Sequence, residues 1–216
     1  MNTLESIVET IRQDWTAQDQ VRDLTLQRSR LLIRHCANSI RATHRRDFEQ
    51  ARTLLEEARE AAEVMSQEAA PYGGIASAGY LLDALKEYAE AALTLAFVTG
   101  DDPPDPASLG VPNAPYLNGL GEAAGELRRF SLDAMRRNDL DQAERLLAIM
   151  DEIYSQLVTL DFPDTLTRGL RRTNDMVRGV TERTRGDLTT AVRQNRLQEA
   201  LLSFEARLDE RASEDA

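Results

Sequence analysis

A chain of 216 residues, 42% of them hydrophobic and 29% charged, has enough apolar material for one sizeable core and too much for a disordered polymer. Aromatic residues are only 5% of the chain while Ala, Leu, Glu and Arg abound, which disfavours a sheet and favours helix. A formal net charge of −11 argues against binding a polyanion unless the cations gather on one surface.

No apolar run approaches the ~20 residues of a membrane span, and the start, MNTLESIVETIRQDW, is acidic and polar where a secretory leader is basic and then apolar. The expectation is a cytoplasmic protein with no membrane association. Cys36 stands alone and cannot form an intrachain disulfide, so it reads as a buried helical thiol. Of 26 Lys and Arg only Lys86 is lysine, and such an acidic, arginine-for-lysine composition points to a haloarchaeal host with high internal salt.

Helical periodicity organises nearly the whole chain. The first stretch, residues 3–43, carries a candidate break at 16–19, where Thr16 and Asp19 offer a new N-cap, so 1–20 reads as a helical extension. A second helix covers 47–68, capped by Asp47 and stopped by Pro71, Gly73 and Gly74. The third runs over 77–99 to Gly100, and DDPPDPASLGVPNAP follows as a connecting loop. The fourth spans 115–137, the fifth 140–160 and the sixth 163–183. Gly186 and Asp187 read as a stop and a cap before a last helix at 188–211, leaving 212–216 as a polar tail. Short turns between helices of similar length imply antiparallel neighbours. The predicted fold is therefore all-α, one up-and-down bundle of about seven helices within a single domain, 1–216.

Charge is unevenly spread along these helices. Residues 22–46 hold seven arginines against one aspartate, a net of +6. Among them Arg30, Arg34, Arg41 and Arg45 fall within a sector of roughly 60° on a helix. A second cluster, Arg168, Arg171, Arg172, Arg178, Arg183 and Arg185, opposes only Asp175 and Glu182. Such stripes can grip a sugar-phosphate backbone, although pairing with neighbouring acids accounts for them as well. Nothing resembles a sequence-reading head, so recognition would concern shape or single strands.

The third helix places Asp83, Glu87 and Glu90 within roughly 60° of one another, opposite Leu81, Leu85, Ala89, Ala92 and Ala96. The fourth sets Glu122, Glu126 and Asp133 opposite Leu117, Leu120, Ala124 and Leu127. Carboxylates of adjacent helices can hold Mg²⁺ or Mn²⁺ for phosphodiester hydrolysis, but acids at this spacing on an amphipathic helix are usually a solvated face.

KEYAEAALTLAFVTGD, 86–101, resembles the EYxEA helix of translin-associated factor X, the nuclease member of the translin family. YLNGLGEAAGELRRFSLDAMRRND, 116–139, is similar to that family's YLxGxxDLxGELxR segment, and RDLTLQRSRLLIRHC is similar, less specifically, to its basic first helix. The resemblance spans roughly 22–178. It implies a seven-helix bundle assembled as a hollow homo-oligomeric shell, roughly an octamer, with a second family member as a candidate subunit, binding single-stranded RNA or DNA on its inner surface. In factor X-like members it also implies Mg²⁺-dependent RNA cleavage.

By position the resemblance assigns metal binding and catalysis to Glu87, Glu90 and Glu122, with Glu126 as a further ligand or supporting group. Where the family's nuclease has Asp this chain has Glu122, whose additional methylene shifts the oxygens by about a bond length. Nucleic acid would be held by Arg30, Arg34, Arg41 and Arg45, with Arg128 and Arg129 beside the acids, while His35 and His44 are candidate proton carriers. The leading expectation is a Mg²⁺-dependent endoribonuclease on single-stranded RNA; the alternatives are a non-catalytic RNA or single-stranded DNA binder and a helical protein scaffold.

Overall fold

The computed structural model describes residues 3–214, with side chains through 208. Every regular element among them is helical: α1 Leu4–His44, α2 Phe48–Ala69, α3 Gly73–Ala76, α4 Gly79–Thr99, α5 Pro106–Leu109, α6 Asn113–Arg136, α7 Leu140–Leu157, α8 Asp164–Thr167 and α9 Leu170–Glu214. The all-α bundle expected from the sequence is present, but with six long helices and three single turns.

Two expected breaks are not breaks. At 16–19 the hydroxyl of Thr16 donates to the Arg12 carbonyl at 2.7 Å and Gln18 donates to Asp14 at 2.8 Å, so these polar side chains are satisfied inside a continuous α1. At Gly186 and Asp187 the helix also continues, because Asp187 pairs with Arg128 at 2.9 Å and is not used as a cap. The interruption lies earlier. Arg168 and Gly169 take left-handed conformations (φ 52° and 89°), and Asp164 Oδ1 accepts the Gly169 N–H at 2.7 Å. The expected sixth and seventh helices are thus one, α9, which absorbs 212–214 of the predicted tail; 215–216 lie outside the described residues.

The bundle divides into two three-helix halves. In one, α1, α2 and α4 pack together around Leu32, Met65, Leu85, Tyr88 and Leu93; in the other, α6, α7 and α9 pack around Leu127, Leu146, Met150, Leu157 and Val177. The α4–α6 contact joins them.

The hairpins that open the two halves repeat each other. Asp47 caps α2 through the Gln50 N–H, and Asp139 caps α7 through the Gln142 N–H, each at 3.2 Å. Ser39 bonds the Ala51 carbonyl and Ser131 bonds the Ala143 carbonyl, at 2.8 and 3.2 Å. Arg46 and Asn138 both turn the corner at φ near 60°.

Glycine sets the spacing at the join. A Cβ on Gly119 would lie 2.7 Å from the Lys86 carbonyl oxygen and 3.0 Å from the Glu90 nitrogen, so α6 approaches the α4 backbone closely at that level. On the opposite side a Cβ on Gly121 would fall 2.2 Å from Thr173 Cγ2 of α9. The far end of α4 is closed by Gly100, left-handed at φ 84°, and by Arg145, which donates to the Phe97 and Val98 carbonyls. Among the described residues no helix is long and apolar enough to cross a membrane.

Candidate metal centre

The acidic faces of α4 and α6 turn toward each other across the join. Glu87, Glu90 and Glu122 each offer a carboxylate oxygen, and these atoms lie within 4.8 Å of one another. The three acids named from the sequence therefore converge. Asp83 is exposed on α4, and Asp133 of α6 pairs with Arg136 at 3.2 Å.

The environment is not that of a solvated acidic face. Glu90 retains 9% of its accessibility. Its burial first, and then the charges of Glu87, Glu122 and Glu126, push its pKa up from 4.5 to about 8. A buried acid crowded by like charges demands either a proton or a cation. Three hard oxygen donors at this separation, one largely dehydrated, fit the chemistry of Mg²⁺ or Mn²⁺.

Part of that demand is met by Lys86. Its ammonium lies 2.5 Å from Glu122 Oε2 and 3.3 Å from Glu87 Oε1, with 21% of the side chain exposed. Burial works against this charge, but Glu122 and Glu87 outweigh it and hold the pKa above the ordinary lysine value. Nothing in the sequence pattern singled out Lys86 for this place except that it is the one lysine.

Glu126 is tied elsewhere. Its carboxylate bonds Nε2 of His44 at the end of α1, and the imidazole stacks on Phe130 with ring centroids 4.2 Å apart. The His44 side chain is 6% exposed, and its Nδ1 is buried without a partner. This contact holds Glu126 apart from the three converging acids, near enough for its charge to act on Glu90. Cys36 on α1 is also near the acids: burial, then Glu87 and Glu90, push its thiol pKa upward, which leaves it protonated. His35 sits apart, 2.8 Å from Glu57.

The arginines divide. Arg30, Arg34, Arg41 and Arg45 are exposed and have no carboxylate partner among the described residues; Arg41 bonds Asn38 and Arg45 bonds Gln50. They lie roughly 120–180° around α1 from Cys36, so the stripe points away from the buried acids. Arg129 is exposed and within about 20° of Glu122 on the surface of α6. Arg128 is engaged structurally, bonding Thr184 at 3.0 Å and Asp187 at 2.9 Å on α9. In the second basic cluster Arg171 pairs with Asp161 and Arg185 with Asp151, at 3.5 and 2.5 Å.

No protein-family model matches the chain. Two solved structures of AfC3PO, one of them a complex with duplex RNA, align with TM-scores of 0.80 at 32% and 33% identity, covering 85% of this chain and 95% and 96% of theirs. The chain belongs to the translin (C3PO) family. An uncharacterised protein of Methanocaldococcus jannaschii is 31% identical over 190 residues, 85% of this chain and 82% of its own length. Apo-NeC3PO shares the fold at a TM-score of 0.79 with 20% identity, covering 88% of this chain and all of its own. The translin-family bundle is therefore the frame that sets the α4 and α6 acids face to face.

Proposed function

We propose that the protein is a Mg²⁺- or Mn²⁺-dependent endoribonuclease that cleaves single-stranded RNA within a homo-oligomeric shell. The observation that carries this reading is the convergence of Glu87, Glu90 and Glu122 at the α4–α6 join. RNA as the substrate class is supported by the translin-family relative whose structure holds duplex RNA. Assembly is supported by apolar stripes exposed on both long helices, Leu4, Val8, Ile11 and Trp15 on α1 and Leu197, Leu201, Phe204 and Leu208 on α9.

Glu87, Glu90 and Glu122 would hold the ion. A divalent cation there supplies Lewis acidity toward a phosphodiester oxygen and lowers the pKa of a water. The chain's own groups supply the rest. Burial of Glu90 and the close α4–α6 packing at Gly119 fix the acids and limit their hydration. His44 holds Glu126 in place, while Arg129, exposed on the α6 face that carries Glu122, and Arg45, exposed on the outer face of α1, would bind flanking phosphates. Arg30, Arg34 and Arg41 would extend the footprint along the outer face of α1, while Arg128 serves the α6–α9 contact.

A non-catalytic RNA or single-stranded DNA binder is the second reading, favoured by Lys86 already neutralising Glu122 and Glu87. Cleavage of a labelled single strand and of a duplex, in Mg²⁺ and in EDTA, separates them. The nuclease reading expects Mg²⁺-dependent cleavage that falls by ~10²-fold or more in Glu87→Ala and Glu122→Ala with binding retained. Undiminished cleavage in both variants would sink it. Binding without turnover leaves the binder.

A further inference from the structure

We propose that Lys86 is a resident counter-cation of the carboxylate cluster, displaced when a divalent ion enters and then free to meet an RNA phosphate, so that metal and RNA bind with positive coupling. This rests on the cluster being a metal site for RNA chemistry.

The geometry makes the two cations exclusive. The carboxylate oxygens lie within 4.8 Å of one another, room for one small ion about 2.1 Å from its ligands. The ammonium of Lys86 sits 2.5 Å from Glu122 Oε2 and 3.3 Å from Glu87 Oε1, occupying oxygens of two of the three acids an ion would draw on. An ion ligated by both oxygens cannot coexist with it, both for space and for like-charge repulsion.

The residue type suits a displaceable occupant. Arginine supplies every other basic charge in the chain, yet a planar guanidinium would grip carboxylates bidentately. Lysine presents a compact charge on a flexible stem. Its backbone is packed, because Gly119 closes on the Lys86 carbonyl, so displacement falls to the flexible stem. An ammonium freed from the acids remains tethered to the helix that carries Glu87 and Glu90, where a phosphate of a bound strand is an anion it can meet. A phosphate that draws Lys86 away raises affinity for the ion, and by linkage the ion raises affinity for the strand to the same extent.

The test is titration calorimetry with Mn²⁺ alone, on the full chain and on Lys86→Met, Lys86→Gln and Lys86→Arg, with and without a saturating 2′-O-methyl RNA strand whose integrity is checked afterwards. Lys86→Met and Lys86→Gln are expected to bind Mn²⁺ about tenfold more tightly than the parent, with no further gain from the strand. The parent should gain several-fold when the strand is present, and Lys86→Arg should bind Mn²⁺ no more tightly than the parent. Circular dichroism establishes that each variant is folded, and two neutral replacements guard against one failing to fold. Equal or weaker Mn²⁺ binding in the folded neutral variants would overturn the inference while leaving the metal site intact. No Mn²⁺ binding in the parent or in any Lys86 variant would overturn both.

Discussion

Replacing Glu90 by Gln keeps the shape of a side chain that is 9% exposed and removes its charge. Burial, with Glu87, Glu122 and Glu126 around it, raises the Glu90 pKa from 4.5 in an unfolded chain to about 8 in the folded one. Folding at pH 7 therefore requires this carboxylate to take up a proton, which costs about 1.4 kcal/mol for each pH unit above the unfolded pKa, or about 3 kcal/mol. Because the folded pKa is the higher, the stability associated with the protonated acid is fully present below pH 4.5 and is lost progressively as pH rises through 8. Glutamine does not titrate. Thermal melts in EDTA should show Glu90→Gln close to the parent at pH 4.5 and above it by roughly 6–12 °C at pH 7, with the gap widening to pH 8. Saturating Mn²⁺ should close or reverse that gap, since an ion at 100 times its Kd adds about 2.7 kcal/mol to the parent and little to the variant. A gap independent of pH, or a variant less stable than the parent at pH 8 without metal, would refute the reasoning.

Gly119→Ala places a methyl 2.7 Å from a backbone oxygen that cannot yield, so α4 and α6 must part. The expected cost is about 2–3 kcal/mol by denaturant melt, with weaker Mn²⁺ binding as the acids separate. Arg129→Ala and Arg45→Ala should each weaken RNA binding and lower the salt slope of log K by about one, with melting points unchanged; an unaltered slope counts against these as phosphate contacts. Arg128→Ala should do the converse, losing about 1 kcal/mol of stability with its bonds to Thr184 and Asp187 while RNA affinity holds.

Helical period made the bundle legible, and the approach of Glu87, Glu90 and Glu122 followed from a family motif that marks facing positions on two helices. Other features were hidden because they belong to tertiary structure. Gly186 followed by Asp187 has the local chemistry of a stop and a cap, yet Asp187 finds Arg128 across the α6–α9 contact, and the helix runs on. The true break at Arg168 and Gly169 depends on Asp164 five residues back. Counting charges treated arginines alike, whereas packing sends Arg128 to α9 and leaves Arg129 on the face of Glu122. His44 read as a candidate proton carrier on a basic helix, and only the tertiary fold brings it to Glu126 and Phe130 of α6. Lys86 lay within the quoted motif, but the direction of its side chain is fixed by Glu122, 36 residues away.

The proposed function requires that the α4–α6 acids hold a divalent ion. Anomalous diffraction from crystals soaked in Mn²⁺ tests it most directly. A peak bounded by Glu87, Glu90 and Glu122 is expected, with Lys86 turned away and no peak there in Glu90→Gln. Mn²⁺ found only at other sites, with Lys86 still bonded to Glu122 at saturating metal, would contradict it.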